Sequence, residues 1–168
     1  MVGALSVSET VPGDSGFASF VDLFDAYRVH YGQPAGGDRS EAWLIEATTS
    51  GPIRAFLGRV DEHAAGMCLI AICPASLALG EFWMIRDLFV EPQRRGKGVA
   101  RALLDAVRAA AEQRGALRLT LQTEDDNAPA LRLYERYGFR RAEGLRHLTL
   151  QLGGPPADSA DISAEERP

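Results

Sequence analysis

Between Val90 and Leu104 the chain reads VEPQRRGKGVARALL. Arg94, Arg95 and Lys97 surround Gly96 and Gly98, and an apolar pattern of helical spacing begins at once. A helix N-terminus leaves backbone N–H groups without partners and carries partial positive charge, so it is a ready anion site. Glycine removes the side chains that keep an anion from those amides, and the cations add long-range attraction. The turn follows an apolar run that reads as a strand, which places it at a sheet edge, where α/β proteins hold ligands. The chemistry is the binding of a phosphate or pyrophosphate. The same residues also suit a tight, solvated turn that is simply basic. The segment is not a P-loop, because no Lys-Ser/Thr pair follows the last glycine and the glycine spacing is too short. It is not a dinucleotide fingerprint either, because GKGVAR lacks the third glycine.

Other groups able to do chemistry are dispersed. Glu81, Asp87 and Glu124 are the candidate general bases. His30, His63 and His147 show no metal-ligand spacing, so no metal is expected. Cys68 and Cys73 lie inside the apolar run GMCLIAICP and read as buried free thiols rather than a disulfide.

The elements that must position these groups follow from the rest of the chain. Its 168 residues suit one domain, and a hydrophobic fraction of 46% is enough for a core. A net charge of -5 argues against nucleic-acid binding and favours cationic acceptors by steering. No apolar stretch is long enough to span a bilayer, and the N-terminus lacks the marks of a secretory signal, so no membrane partner and a cytoplasmic location are expected.

Alternation in ALSVSETV predicts a first strand. FASFVDLFDAYRVHY has helical spacing with Asp14 or Ser15 as cap, and DRSEAWLIEATTSG reads as a second helix capped by Asp38 or Ser40. IRAFLGRV and GMCLIAIC read as strands joined by a turn near DEHAAG, and EFWMIRDLFV as a third, ended by Pro92. A helix is predicted from about Gly98 to Gln113, then a strand in LRLTLQT. A last helix in DNAPALRLYERYG starts at Asp126 or Asn127 and ends at Gly138, before a final strand in LRHLTLQL. Residues 153–168 have few large apolar side chains and read as a disordered tail beyond a domain of residues 1–152. The class is α/β with one central mixed sheet.

The segment LFVEPQRRGKGVARALL resembles the coenzyme-A-binding segment of the GNAT superfamily of N-acyltransferases. Gln93, Gly96 and Gly98 match that family's Gln/Arg-x-x-Gly-x-Gly/Ala pattern, with Val90 and Pro92 correctly placed before it. The likeness continues in DNAPALRLYERYGF, with an Asn near a helix start, Leu-Tyr within the helix, then Gly-Phe. The element order matches over roughly residues 5–152. The resemblance implies a single domain whose mostly antiparallel mixed sheet is flanked by helices and splayed between its fourth and fifth strands. It implies an acetyl-CoA-dependent N-acetyltransferase in which an amine of a small molecule or peptide attacks the thioester directly through a tetrahedral intermediate. An enzyme of the same fold using an unusual acyl-CoA in a biosynthetic pathway, or a non-catalytic acyl-CoA-binding module, are the alternatives. Homodimers occur in the group, and the final strand is placed to pair across a two-fold axis.

The resemblance also implies residue roles. Backbone amides from Arg94 through Arg95, Gly96, Lys97, Gly98, Val99 and Ala100 cradle the coenzyme A pyrophosphate, following Gln93. The arginines and Lys97 steer the phosphates and contact the 3'-phosphate. Leu88 and Val90 offer strand backbone to the pantetheine arm, and the N–H of Leu88 or Phe89 is the oxyanion donor. Asn127 bonds the pantetheine amides, or serves as an N-cap. Tyr134, two helical turns on, protonates the departing thiolate, although it also suits a core position. Tyr137 is its backup. Where diamine-type relatives read Leu-Glu-Asp this chain reads Ile85-Arg86-Asp87, so the glutamate position holds an arginine. Asp87 remains, and beside Arg86 it is a poor base but a good anchor for a cation. His30 and Tyr31 flank the acceptor cleft.

Overall fold

The computed structural model describes residues 3–144 together with 148, 150 and 152. It forms two compact units, Met1–Leu121 and Gln122–Pro168.

The first unit runs β1 (Leu5–Thr10), α1 (Phe17–His30), α2 (Asp38–Thr49), β2 (Ile53–Val60), β3 (His63–Ala75), β4 (Gly80–Val90), α3 (Val99–Gln113) and β5 (Leu119–Leu121). Its five-stranded sheet has the order β1-β2-β3-β4-β5. The first three pairings are antiparallel and β4 pairs with β5 in parallel. This is the mixed, mostly antiparallel sheet the sequence predicts. The β4–β5 ladder joins only Trp83, Met84 and Ile85 to Leu119, Thr120 and Leu121. From Arg86 to Val90, β4 continues without a ladder partner on that side among the described residues, so the fourth and fifth strands part as expected.

Helices cover both faces. On one, Phe17, Phe20, Leu23 and Phe24 of α1 and Leu44 of α2 pack on Ala55, Leu57, Met67, Leu69 and Phe89. Their spacing is that of a helical stripe on alternate strand residues. On the other, α3 buries Val99, Leu103, Leu104 and Val107. Two glycines let it approach. A Cβ at Gly58 would stand 3.2 Å from Val99 Cγ1, and one at Gly66 would stand 3.0 Å from the same atom. The start of α3 is therefore seated directly over β2 and β3.

The second unit holds α4 (Ala128–Tyr137). Asn127 is its N-cap, accepting from the Ala130 N–H at 3.3 Å, and Gly138 closes it with φ +116°. Both boundaries match the sequence reading.

Three local expectations are corrected. Neither Asp14 nor Ser15 caps α1: Gly16 holds that position, and the Asp14 carboxylate instead accepts from the Val11 N–H at 3.0 Å, closing the preceding turn. Neither Asp38 nor Ser40 caps α2. Asp25 of α1 reaches across to accept from the N–H groups of Gly36 (3.0 Å) and Gly37 (2.8 Å) and from the Ser40 hydroxyl (2.5 Å). The β2–β3 turn is also tighter than predicted. Asp61 and Glu62 take φ +49° and +63°, the double left-handed turn that matches strand twist, and β3 starts at His63. The predicted final strand and the tail of residues 153–168 lie for the most part outside the described residues.

Candidate active site

β4 ends at Val90 and the chain turns through a short 3-10 segment, Pro92–Arg94, into α3. Gly96 and Gly98 adopt φ +75° and +85°, which other residues reach only at a cost of about 1–2 kcal/mol. A Cβ on either would meet no protein atom within 4 Å. These glycines are therefore set by backbone conformation and by open space before the amides, not by a tight internal contact. Gly98 is the N-cap of α3, and no side chain caps the helix. An uncapped N-terminus behind a glycine loop has the backbone geometry that an anion cradle requires. Gln93, Arg95 and Lys97 are exposed, while Arg94 is half-buried.

The open edge of β4 leads into this cradle. The Glu91 N–H donates to the Ala65 carbonyl at 3.0 Å, so Glu91 faces β3. The Phe89 carbonyl also lies on the Gly66 side, so Phe89 faces β3 too. Strand amides alternate, which turns Leu88 and Val90 to the free edge. Of the two candidate oxyanion donors, Leu88 is the one whose N–H points outward.

A β-bulge interrupts the β3–β4 ladder. Leu69 pairs with Asp87 and Ile70 with Ile85, which leaves Arg86 as the extra residue. A bulge bends a strand and re-aims its side chains. Asp87 thereby shares the α1-facing side with Phe89, since both lie opposite residues packed against α1. The Arg86 guanidinium lies against the Met84 sulfur at 3.8 Å. Nothing in Ile85-Arg86-Asp87 marks a bulge, and the sequence reading missed it.

Around Phe89 the end of α1 contributes an aromatic group. Ring centroids lie 6.1 Å from Phe89 to Tyr27, 5.9 Å from Phe89 to His30, 5.0 Å from Tyr27 to Tyr31 and 5.3 Å from His30 to Tyr31. His30 and Tyr31, the residues expected beside the acceptor cleft, thus share an aromatic group with Tyr27 and Phe89. Arg95 departs from its expected presentation toward the cradle. Its Nε–H donates to the Val90 carbonyl at 3.1 Å and its guanidinium carbon stands 6.0 Å from the Phe89 centroid.

Two other groups are removed from the chemistry. Glu81 accepts from Arg114 Nε at 3.2 Å and from Trp83 Nε1 at 3.0 Å, and these donors, Arg114 foremost, hold its carboxyl below the usual range. It sits at the start of β4, nine residues before Val90 and thus about 30 Å along the strand from the cradle. It is not a base for this site. Burial, and to a lesser degree the Asp87 charge, push the Cys68 thiol far up, so it carries no thiolate nucleophile.

In the second unit Tyr134 and Tyr137 are half-buried on α4. Phe139 packs against both, edge-on to Tyr134 at 5.8 Å and stacked on Tyr137 at 5.9 Å. Asn127 Nδ2 lies 3.5 Å from Glu124 Oε2, which ties Glu124 to the helix start.

This architecture recurs in solved proteins. The crystal structure of a probable acetyltransferase superimposes with a TM-score of 0.82 at 25% identity, covering 89% of this chain and 99% of that one. In sequence, the uncharacterized N-acetyltransferase YhfO of Bacillus subtilis (strain 168) is 31% identical over 80% of this chain and 91% of its own length. Thialysine N-epsilon-acetyltransferase of Caenorhabditis elegans is 31% identical over 52% of this chain and 54% of its length. The model of the acetyltransferase (GNAT) family matches residues 17–139, from the first core phenylalanine of α1 to Phe139, two residues after α4. A match across most of the chain leaves one assignment: the chain belongs to the GNAT acetyltransferase family.

Proposed function

We propose that the protein is an N-acetyltransferase that moves the acetyl group of acetyl-CoA to an amine by direct attack. One observation carries the reading. The free edge of β4 leads into a glycine turn at an uncapped helix N-terminus, open space lies before both glycines, and at the end of that edge Arg95 Nε–H donates to the Val90 carbonyl. A long ligand with amides in its middle and a pyrophosphate at one end fits this surface: the edge takes the amides as an added strand, and the cradle takes the phosphates.

Acetyl-CoA supplies the activated thioester. The chain supplies the rest. The amides from Gly96 to Ala100 bind the pyrophosphate, with Arg94 and Lys97 adding charge. Val99 anchors that helix start, and the Gln93 side chain borders it. The outward Leu88 N–H donates to oxygen as negative charge develops there. We assign to Tyr134 the protonation of the departing thiolate, to Asn127 a bond to the pantetheine arm, and to Asp87 the holding of the incoming ammonium.

The test is calorimetry with acetyl-CoA followed by a thiol-release assay over an amine panel. Micromolar binding with amine-dependent thiol release supports the reading. Absence of binding removes it, and binding without release on any amine reduces the protein to an acyl-CoA-binding module.

A further inference from the structure

We propose that His30 is the group that takes the proton from the acceptor amine. The inference rests on the acetyltransferase reading above and supplies the base that it leaves unassigned.

An amine enters as an ammonium, and an ammonium has no lone pair with which to attack. Some group near the thioester must accept its proton. Two of the three candidate carboxylates are engaged elsewhere. Glu81 is bonded to Trp83 and Arg114 at the far end of β4, and Glu124 is tied to the start of α4. The third, Asp87, has the duty of holding the cation. Among the histidines, His147 lies outside the described residues. His63 Nδ1 lies 2.7 Å from the Asp61 carbonyl oxygen of its own turn. His30 is left.

Its placement suits the role. His30 is the last residue of α1 and is exposed. Its ring stands edge-on to Tyr31, with 5.3 Å between centroids and 89° between planes. It also lies 5.9 Å from the Phe89 ring at 50°. Two aromatic neighbours thus fix the plane of the imidazole. No hydrogen bond to either ring nitrogen forms among the described residues. The ring is held by packing, and its nitrogens remain open to a ligand or a water.

Phe89 ties this ring to the reacting centre. It follows Leu88, whose outward N–H is the assigned oxyanion donor, at a rise of about 3.3 Å along the strand. Phe89 faces α1, so the imidazole that packs on it stands on the α1 side of that strand position. The titratable and charged groups around it are Tyr27 and Tyr31 of α1, Asp87 on the Phe89 face of β4, and Arg95, whose guanidinium carbon stands 6.0 Å from the same Phe89 ring. Of these side-chain types, imidazole is the one that ordinarily exchanges a proton near neutral pH.

The imidazole takes one proton from the ammonium, directly or through one water, and passes it to solvent. The freed lone pair forms the N–C bond to the thioester carbonyl. As the intermediate collapses, the C–S bond breaks, the nitrogen loses its second proton, and coenzyme A leaves as the thiol.

The test uses the full chain and the amine of the panel that wild type turns over fastest. His30→Phe keeps an aromatic ring against Tyr31 and Phe89 and removes the base. Its kcat at pH 7 should fall about a hundredfold or more, the lower range for losing a general base, while acetyl-CoA affinity stays within about twofold of wild type. The deficit should shrink to less than about threefold above pH 10, where the amine sheds its proton to bulk water. Added imidazole should raise the rate of His30→Ala severalfold and leave wild type unchanged, an effect that a packing role does not give. Wild-type kcat and pH dependence in His30→Phe overturn the inference. So does a deficit in His30→Phe that persists at high pH, or a His30→Ala that imidazole does not restore. A loss of acetyl-CoA affinity in His30→Phe assigns His30 to the cofactor and overturns it too. Failure of wild type itself to bind acetyl-CoA or release thiol is distinguishable, because it removes the acetyltransferase reading and the inference with it.

Discussion

Gly66 stands opposite Val90 and diagonal to Phe89 across the β3–β4 ladder, so close that a Cβ on Gly66 would lie 2.8 Å from the Phe89 carbonyl oxygen. The same Cβ would lie 3.0 Å from Val99 Cγ1 at the start of α3. One missing methyl therefore lets β3, the end of β4 and the helix that carries the cradle meet. Gly66→Ala should cost about 1–3 kcal/mol, the usual penalty of overpacking, because the nearest atom is backbone and cannot rotate away. Denaturant unfolding measures this, and acetyl-CoA affinity should fall alongside. An unchanged midpoint would show that the helix start slides freely on the sheet.

Acetyl-CoA binding at the glycine turn is expected to depend on backbone access more than on side-chain charge. Gly96→Val and Gly98→Val place a branched side chain at positive φ in front of the amides, and each should weaken acetyl-CoA binding at least about tenfold. Lys97→Ala removes only an exposed, screened charge and should cost less than about threefold. Calorimetry on the three variants compares them directly. Equal losses in all three would make charge, not amide geometry, the main contributor.

Tyr134→Phe keeps the ring that packs edge-on to Phe139 and removes the hydroxyl. Turnover should fall by about tenfold to a thousandfold, the range for one acid or donor, with acetyl-CoA affinity little changed. Steady-state kinetics and calorimetry read the two effects separately. Wild-type turnover would return Tyr134 to a packing role and leave Tyr137 or water as the proton source.

Asp87→Asn should raise KM for the amine more than it lowers kcat, if Asp87 anchors the ammonium. The pH-rate profile should keep its shape, because another group sets its basic limb. A collapse of kcat with a shifted limb would make Asp87 the base.

Asp25 links stability to acid. Burial raises its affinity for protons, but the Ser40 hydroxyl, the Gly36 and Gly37 N–H groups and Arg28 together hold its carboxyl below the ordinary range. A carboxyl depressed in the folded state binds fewer protons than in the unfolded chain. Its contribution is therefore fully present above about pH 4 and is lost as pH falls through the folded value. Asp25→Asn should cost about 0.5–2 kcal/mol at neutral pH, as other lost capping contacts do, and should flatten the acid limb of the stability curve. Thermal melts of both proteins from pH 7 to pH 3 test it, and parallel curves would mean that Asp25 adds nothing.

The element order as far as α4, the left-handed glycines of the turn before α3, the Asn127 cap and the Gly138 stop were legible in the chain itself, because each rests on local chemistry. Glycine at positive φ, an amide side chain at a helix start and apolar residues at helical or alternate spacing act within a few residues of themselves. What only the tertiary structure decided depends on partners far away in the chain. Asp25 replaces the local caps of α2 because α1 and α2 pack together. Arg86 becomes a bulge residue because of how β4 registers on Leu69 and Ile70 of β3. Leu88, rather than Phe89, turns its amide outward because Phe89 and Glu91 face β3. Arg95 has the same side chain as Arg94, yet the Val90 carbonyl and the Phe89 ring hold it back against the end of β4. Composition can count such cations, but the direction each one points is set by which oxygen and which ring the fold brings within reach.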